Sequence, residues 1–471
     1  MNIKSCLYFL GLSFFPISLM SLINIFYSLY FNYLKNVNSY LITLILTLVV
    51  GLAFFYLGRK EKENINIYEQ LFLIFLVYFL ISFFISIPFY LSSYNLTFIN
   101  SYFEAVSGLT GTGFSTFEYI RSLDSPLILW RSSSQWIGGL YFLIFLILIF
   151  SNKQMSFKMI NLTFSLENKI NFSSNLFSVT NRIFLIYLSL SILIFSLFLF
   201  SGIRLFDSLN LSMTVVSSGG FLPTDTLNDI IKTDLQSIFL CFAFLVSFLN
   251  FYLFYNFFLE RNNLKYHTED LYLVILAAIF SIIFYFLNSL NVSSVLVNIL
   301  SSLSNSGISM HVVPENYGLY FLFLTMIGGS VLSLTSGIKF LRIYILIKGF
   351  LMEIYRLVKP NVVLNTKIMF SNHKINSENI KISFLIFIFF FLGLFILSSI
   401  LLVDFLDFEN SFKLSILTLT NTASSNIYGM SEIRFADFFT FTKLSLIIFM
   451  IIAKVELLAV FILVKKVFFK D

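Results

Sequence analysis

Apolar stretches of membrane length alternate with short polar runs along almost the whole chain. A helix needs about 20 apolar residues to cross the hydrocarbon core, and the hydropathy pattern predicts ten spans, at 6–30, 39–57, 71–92, 127–151, 183–201, 236–259, 271–290, 318–357, 381–403 and 440–467. The first is long and lacks a small-residue cleavage site, which predicts a retained span and not a signal peptide. Four polar runs recur about every hundred residues: TGTGFST around Gly113, SSGGFLP around Gly219, SNSGISM around Gly307 and TASSNIY around Ser424. Each lies between two membrane-length stretches. About 12 residues ahead of each run are too short to span, and predict a helix that descends halfway and returns as extended chain.

Unpaired backbone groups in hydrocarbon cost several kcal/mol each, so polar runs at that depth have to line a water-filled or ion-filled cavity. Rings of backbone carbonyls are how cation filters are built. The fold expected is therefore an all-α polytopic membrane protein of ten transmembrane helices, with four helix, re-entrant segment, helix units around one pseudo-fourfold pore. The boundaries expected are two additional N-terminal helices over 1–58, then pore units over 66–152, 180–260, 268–360 and 378–471.

Composition agrees with a membrane protein: 58% of residues are hydrophobic and 11% charged, against about 25% charged in soluble domains. Cys6 and Cys241 stand apart in apolar runs, and the three histidines are His267, His311 and His373. No CxxC, metal-ligand cluster, Ser/His/Asp set or GxSxG motif is present, so no enzyme chemistry or covalent cofactor is expected. A membrane-embedded lipid transferase would need paired intramembrane acids or a histidine cluster.

The net charge of +6 follows loop sidedness and does not indicate nucleic acid. Arg59-Lys60, Lys153-Lys158, Arg261-Lys265, Arg356-Lys359 and Lys465-Lys466 fall in every second connection. Asp225, Asp229, Asp234, Asp404, Asp407, Glu409 and Asp437 gather in the others. The positive-inside rule then makes the basic connections and both termini cytoplasmic. The outer acids either raise the local cation concentration or form an ordinary solvated surface.

Several stretches resemble the Trk/Ktr/HKT superfamily of potassium transport subunits, in particular its TrkH type. FEAVSGLTGTGFST (Phe103 to Thr116) is similar to the first pore loop of that family, and WRSSSQWIGG (Trp130 to Gly139) to the start of the helix after it. FDSLN with SSGGF (Phe206 to Phe221) resembles the second loop. GGSVLSLTSGIKFLR with EIYRLVKPN (Gly328 to Asn361) resembles the third outer helix and its internal loop. The resemblance implies potassium uptake across a bacterial inner membrane by a homodimer in which each subunit has its own pore. It also implies a separately encoded cytoplasmic ring of nucleotide-binding regulatory subunits, of the TrkA type.

On this reading the selectivity filter comprises Thr112, Gly113, Ser218, Gly219, Ser306, Gly307, Ala423 and Ser424, with K+ as the transported ion. A glycine lets the backbone turn its carbonyls inward, and the adjacent hydroxyls add oxygens or cap the short helices. The fourth run departs from the pattern, with Ser424 at the glycine place or, in another register, Gly429. In the plant HKT branch a serine at a filter glycine goes with sodium, so the resemblance leaves sodium or mixed cations as an alternative.

Glu104 is expected to begin the first short helix near the outer face, with Asn210 and Asn298 at corresponding places. The span 318–357 is too long for one crossing and is interrupted by Ser330, Ser333, Thr335, Ser336 and Gly337, which by resemblance form an intramembrane gating loop. Lys454 and Glu456 lie in an apolar span, where ionisable residues are functional candidates. By resemblance Lys454 holds the place of an arginine beneath the filter, keeping its charge without the guanidinium fork.

Overall fold

The computed structural model describes residues 3–59, 66–151, 176–259, 267–288, 291–311, 313–359, 366–368, 374–430 and 433–455. Several basic connections, along with His373, Glu456 and the span beyond Val455, lie outside these residues. Among the described residues the secondary structure is helical, apart from one isolated bridge between Lys367 and Lys374.

Six helices are long and apolar enough to cross a membrane: Ile3–Tyr30, Val37–Gly58, Tyr68–Tyr90, Val179–Phe200, Thr268–Leu287 and Ser377–Asp404. A seventh crossing results if the bent pair Asp234–Phe248 and Phe251–Phe258 counts as one. The chain is thus a multi-pass membrane protein. Further helices occupy Ser125–Ser151, Gly318–Ile327, Phe340–Val358 and Thr440–Val455. Local sequence fixes several starts. Asn66 with Glu69, and Thr233 with Gln236, form capping boxes, which satisfy amides that have no partner in the first turn.

Four short helices stand between the long ones: Phe98–Thr110, Leu205–Val216, Val292–Leu303 and Phe408–Leu419. Their 13, 12, 12 and 12 residues correspond to about 18–20 Å at ~1.5 Å per residue, well short of a ~30 Å core. Most of their side chains are nevertheless buried, including Phe103, Val106, Leu211, Val215, Val297, Leu303, Leu414 and Leu417. They are enclosed by protein, which allows their ends to be irregular.

Two of the predicted spans are divided. The 236–259 stretch bends by 98° after Phe248. Leu249 is extended there, and Asn250 starts a new turn by accepting from Tyr252 N at 3.0 Å while its own N–H donates to Asp270 Oδ1 at 2.8 Å. Periodicity gave no sign of this bend because the flanking residues are apolar on both sides. The 318–357 stretch is interrupted, as its polar run indicates, between Ile327 and Phe340.

The two N-terminal helices pack closely through glycine. A Cβ at Gly11 would lie 2.5 Å from Phe55 N, and one at Gly58 2.4 Å from Tyr8 N, the close backbone approach that small residues allow between membrane helices. Gly11→Leu is expected to destabilise the protein by about 1–3 kcal/mol through overpacking. Gly393→Ala, whose Cβ would sit 3.6 Å from Leu419, should leave the thermal unfolding midpoint in detergent near that of the parent. Equal midpoints for Gly11→Leu and the parent would contradict the close packing.

Candidate functional site

Each short helix ends on the same backbone turn. Gly111, Ser218, Asn305 and Asn421 take left-handed conformations, with φ of 79°, 60°, 58° and 47°. Their amides donate back to Gly108, Val215, Ser302 and Thr418 at 3.0–3.2 Å. In three of the helices the next amide reaches one residue further back: Gly219 to Thr214, Ser306 to Ser301, and Thr422 to Leu417. These paired bonds are the Schellman way of satisfying carbonyls at a helix end. Asparagine tolerates positive φ better than most residues, and glycine tolerates it freely.

That turn sets the register of the segments that follow. Gly113, Gly220, Gly307 and Ala423 occupy equivalent positions, two residues beyond the turn. A Cβ on Gly113 would lie 2.9 Å from both Ala423 Cβ and Gly220 Cα. One on Gly220 would lie 2.2 Å from Ala423 Cβ and 2.6 Å from Ser306 O, and one on Gly307 2.4 Å from Ala423 O. The four segments therefore meet at these residues.

In the first and third segments the meeting residues are the glycines of Thr112-Gly113 and Ser306-Gly307; relative to the spacing of the four polar runs, the other two differ. The second and fourth shift by one residue. Gly219 packs on the Gln135 side chain, where a Cβ would be 2.3 Å from Oε1, and Ser424 lies half-buried beyond the meeting point. Gly429 turns against the Glu315 backbone instead. Spacing misled here because the fixed feature of each turn is its left-handed residue, which is a glycine only in the first segment.

Beyond the meeting point each strand of chain is held by a different side chain. Glu104 is fully buried in the middle of its helix, not at the N-terminus expected for it, where Thr97 is the cap. Its carboxylate accepts from Thr116 N at 2.7 Å and from the Ser115 and Thr116 hydroxyls at 3.1 Å. Arg131 Nε completes the site at 2.8 Å, with its guanidinium 4.1 Å from the Phe221 ring centroid. In the second segment Gln135 Oε1 accepts from Phe221 N at 3.2 Å. In the third, Asn298 both accepts from Met310 N and donates to Met310 O. In the fourth, Lys413 donates to Gly429 O at 2.7 Å and pairs with Glu409. Asn298 thus matches Glu104, whereas Asn210 donates to Phe206 O within its own helix.

Neighbouring segments are tied together below the meeting point. Ser218 Oγ donates to Ser304 O, Asn305 Nδ2 to Thr422 Oγ1 and Thr325 O, and Asn421 Nδ2 to Thr110 O. Within three of the segments hydroxyls also pair, Thr110 with Thr112, Ser304 with Ser306, and Thr420 with Thr422.

Under these turns lies the irregular stretch from Gly328 to Lys339. Ser330, Ser333, Thr335 and Ser336 are buried, and Gly337 has a φ of 83°. The stretch is hydrogen-bonded to the bend of the divided helix, through Ser330 N to Phe248 O, Leu334 N to Ser247 O and Phe251 N to Leu332 O. Lys339 donates to the Thr335 carbonyl and hydroxyl and to Ser333. Lys454 Nζ donates to Leu334 O at 3.4 Å and stands 4.6 Å from the Phe142 ring centroid. A Cβ on Gly111 would be 3.6 Å from that ammonium, so the charge lies directly beneath the first turn. Lys339, Arg342, Lys454, Thr335, Ser336 and Phe142 border a cavity of about 30 Å³, room for roughly one water.

Arg131, Gln135 and Lys339 were not singled out from sequence. The available sign was a charged or amide side chain inside an otherwise apolar, membrane-length stretch. Arg121 pairs with Asp225 and Asp229, so two of the acids that the charge pattern assigns to the outer connections are partly neutralised. Among the described residues no His, Cys, Asp and Glu group has metal-binding geometry.

The Glu104–Arg131 pair yields a stability prediction. Glu104→Ala or Arg131→Ala alone leaves one buried charge unpaired, a loss of about 3–5 kcal/mol. Glu104→Gln combined with Arg131→Met should lose less than either alanine variant in thermal unfolding in detergent. Alanine variants that melt with the parent would contradict the buried pair.

No family model matches the chain. It is 25% identical over 366 residues to an uncharacterized cation transporter of Methanocaldococcus jannaschii, covering 76% of this chain and 75% of the relative. The Trk system potassium uptake protein TrkH of Escherichia coli is 25% identical over 346 residues, covering 69% and 71%. TrkG of the same organism is 24% identical over 467 residues, 93% of each chain. All three are named as transport proteins and none as an enzyme. The crystal structure of the potassium transporter TrkH from Vibrio parahaemolyticus superimposes with a TM-score of 0.85 at 21% identity, over 98% of both chains. In sequence along most of its length the chain is similar to the potassium uptake proteins TrkH and TrkG, and in fold along nearly all of it to the potassium transporter TrkH.

Proposed function

We propose that the chain is a channel-like subunit for monovalent cation uptake, potassium first, across the cytoplasmic membrane. The observation that carries this reading is the convergence of four short-helix segments at Gly113, Gly220, Gly307 and Ala423. Around a common axis, extended segments of this kind can exchange an ion's water for backbone carbonyls. The filter comprises Thr112-Gly113, Gly219-Gly220, Ser306-Gly307 and Thr422-Ala423, with the hydroxyl pairs stiffening three of the four. Ser218 and Ser424 flank it. The four units 66–152, 180–260, 268–360 and 378–471 each supply one quarter, and 1–58 packs outside them. Potassium is supported by the names of the relatives. No covalent chemistry is involved.

Gating is assigned to the 328–339 stretch with Lys454. A monovalent cation about 4 Å from the ammonium would be repelled by about 4 kcal/mol at an effective dielectric of ~20, equivalent to roughly a thousandfold in occupancy. Opening therefore requires that the stretch and Lys454 move together, since Lys454 donates to Leu334 O. Both termini are cytoplasmic on this reading, and each subunit of a homodimer has its own pore. A cytoplasmic nucleotide-binding ring of the TrkA type is the regulator, and the connections 152–175 and 260–266 on that face lie outside the described residues. A sodium or mixed-cation preference is the second reading, favoured by Ala423 at the fourth glycine place.

Gly113→Asp and Gly307→Asp should each abolish rubidium uptake in a host lacking its own potassium uptake, with membrane insertion intact. Persisting uptake in both would reject the filter. Deletion of 331–335, and separately Lys454→Ala, should raise basal rubidium flux in proteoliposomes without the regulatory ring. Parental flux in both would put the barrier elsewhere.

A further inference from the structure

A cavity of about 510 Å³ lies between the ends of three helices, Val179–Phe200, Leu205–Val216 and Asp234–Phe248. Its size falls within the range of about 300–1,000 Å³ usual for small-molecule sites. Arg121, Arg204, Asp207, Asn228, Asp229 and Lys232 line it. Arg121 is already matched by Asp225 and Asp229. Arg204, Lys232 and Asp207 form no ion pair among the described residues, so two cations and one carboxylate border the cavity without a close partner. Leu205–Val216 begins at the same place, with Arg204 as its cap residue and no side chain capping its first turn. The amides of that turn are open to an anion. Val179–Phe200 is long and apolar enough to cross a membrane, which puts the hollow at its end on the level of lipid headgroups. Phe200, Leu205, Leu235 and Ile238, next to the lining residues in sequence, are each more than half exposed. A charged hollow is thus rimmed by apolar side chains.

We infer that this cavity binds the headgroup of a zwitterionic phospholipid of the phosphatidylethanolamine class. Arg204 and Lys232 take the phosphate through charge-assisted hydrogen bonds, and Asp207 accepts from the primary ammonium. The acyl chains leave over Phe200, Leu205, Leu235 and Ile238. The unmatched charges select the class. A phosphatidylglycerol headgroup carries the phosphate but has no cation for Asp207, and the quaternary ammonium of phosphatidylcholine has no N–H to donate to it. The site is independent of ion passage. It is bordered by Arg121, which follows the first segment, and by Asn228 and Asp229, which follow the second, so a bound headgroup braces the chain leading away from both.

Native mass spectra of the full chain in detergent, titrated with phosphatidylethanolamine, phosphatidylcholine or phosphatidylglycerol of the same acyl chains, test this. The parent should bind phosphatidylethanolamine most tightly. Arg204→Gln combined with Lys232→Gln should weaken that binding by about tenfold, the scale of one charge-assisted hydrogen bond. Asp207→Asn should keep the affinity for phosphatidylglycerol and lose the preference for phosphatidylethanolamine. If the double variant does not fold, the headgroup preference of Asp207→Asn decides alone. Equal phosphatidylethanolamine affinity in the parent and the double variant overturns the inference, as does a headgroup preference unchanged in Asp207→Asn. Inorganic phosphate that displaces the lipid at equal concentration would make this a site for a soluble anion and overturn the lipid assignment. A double variant that loses its dimer while its lipid binding is unchanged would give the surface to contact between copies of the chain, and would overturn it as well.

Discussion

Backbone amides and carbonyls at membrane depth must find partners inside the protein, since hydrocarbon offers none and each unpaired group costs several kcal/mol. Most of the architecture around the four segments follows from that requirement. The short helices are too short to cross a membrane, and their last carbonyls are satisfied by the left-handed turns at Gly111, Ser218, Asn305 and Asn421. The chain that leads away then needs donors and acceptors from its surroundings. Glu104 supplies them to Thr116, Gln135 to Phe221, Asn298 to Met310 and Lys413 to Gly429. Four unlike side chains perform one task. The segments consequently share a backbone shape without sharing a sequence.

Buried charge is the cost of this solution, and it is contained locally. Glu104 requires Arg131, which in turn lies on the Phe221 ring of the second segment. The first two segments are thereby coupled through one ion pair. Beneath the turns, Lys339 is bound to Ser333 and Thr335 of its own stretch, and Lys454 joins that stretch to the last described helix. The bend after Phe248 is hydrogen-bonded to Ser330, Leu332 and Leu334 of the same stretch. Movement of the 328–339 stretch is therefore linked to two helices at once.

Hydropathy alone indicated the membrane class, the short helices and the polar interruption between Ile327 and Phe340, because each changes the apolar pattern over many residues. Spacing pointed to Gly113 and Gly307 at the meeting point, although the first segment also carries Gly111. The second segment carries two adjacent glycines and the fourth none at the key position, so glycine spacing was ambiguous at Gly219-Gly220 and displaced at Ala423. Asn305 and Asn421, residues that accept positive φ, were the better guide. The 98° bend left no trace in hydropathy. Its cause, the hydrogen bond between Asn250 and Asp270, joins residues on separate helices. The partners of Glu104 were hidden for the same reason.

The central claim is that the four segments together form a cation path. Reversal potentials of the purified protein in planar bilayers, under opposed potassium and sodium chloride gradients, test it most directly. The account predicts a current carried by cations, with a reversal potential that follows the monovalent cation gradients and is indifferent to chloride. A reversal potential that follows chloride, or no current even after Lys454→Ala, would contradict it.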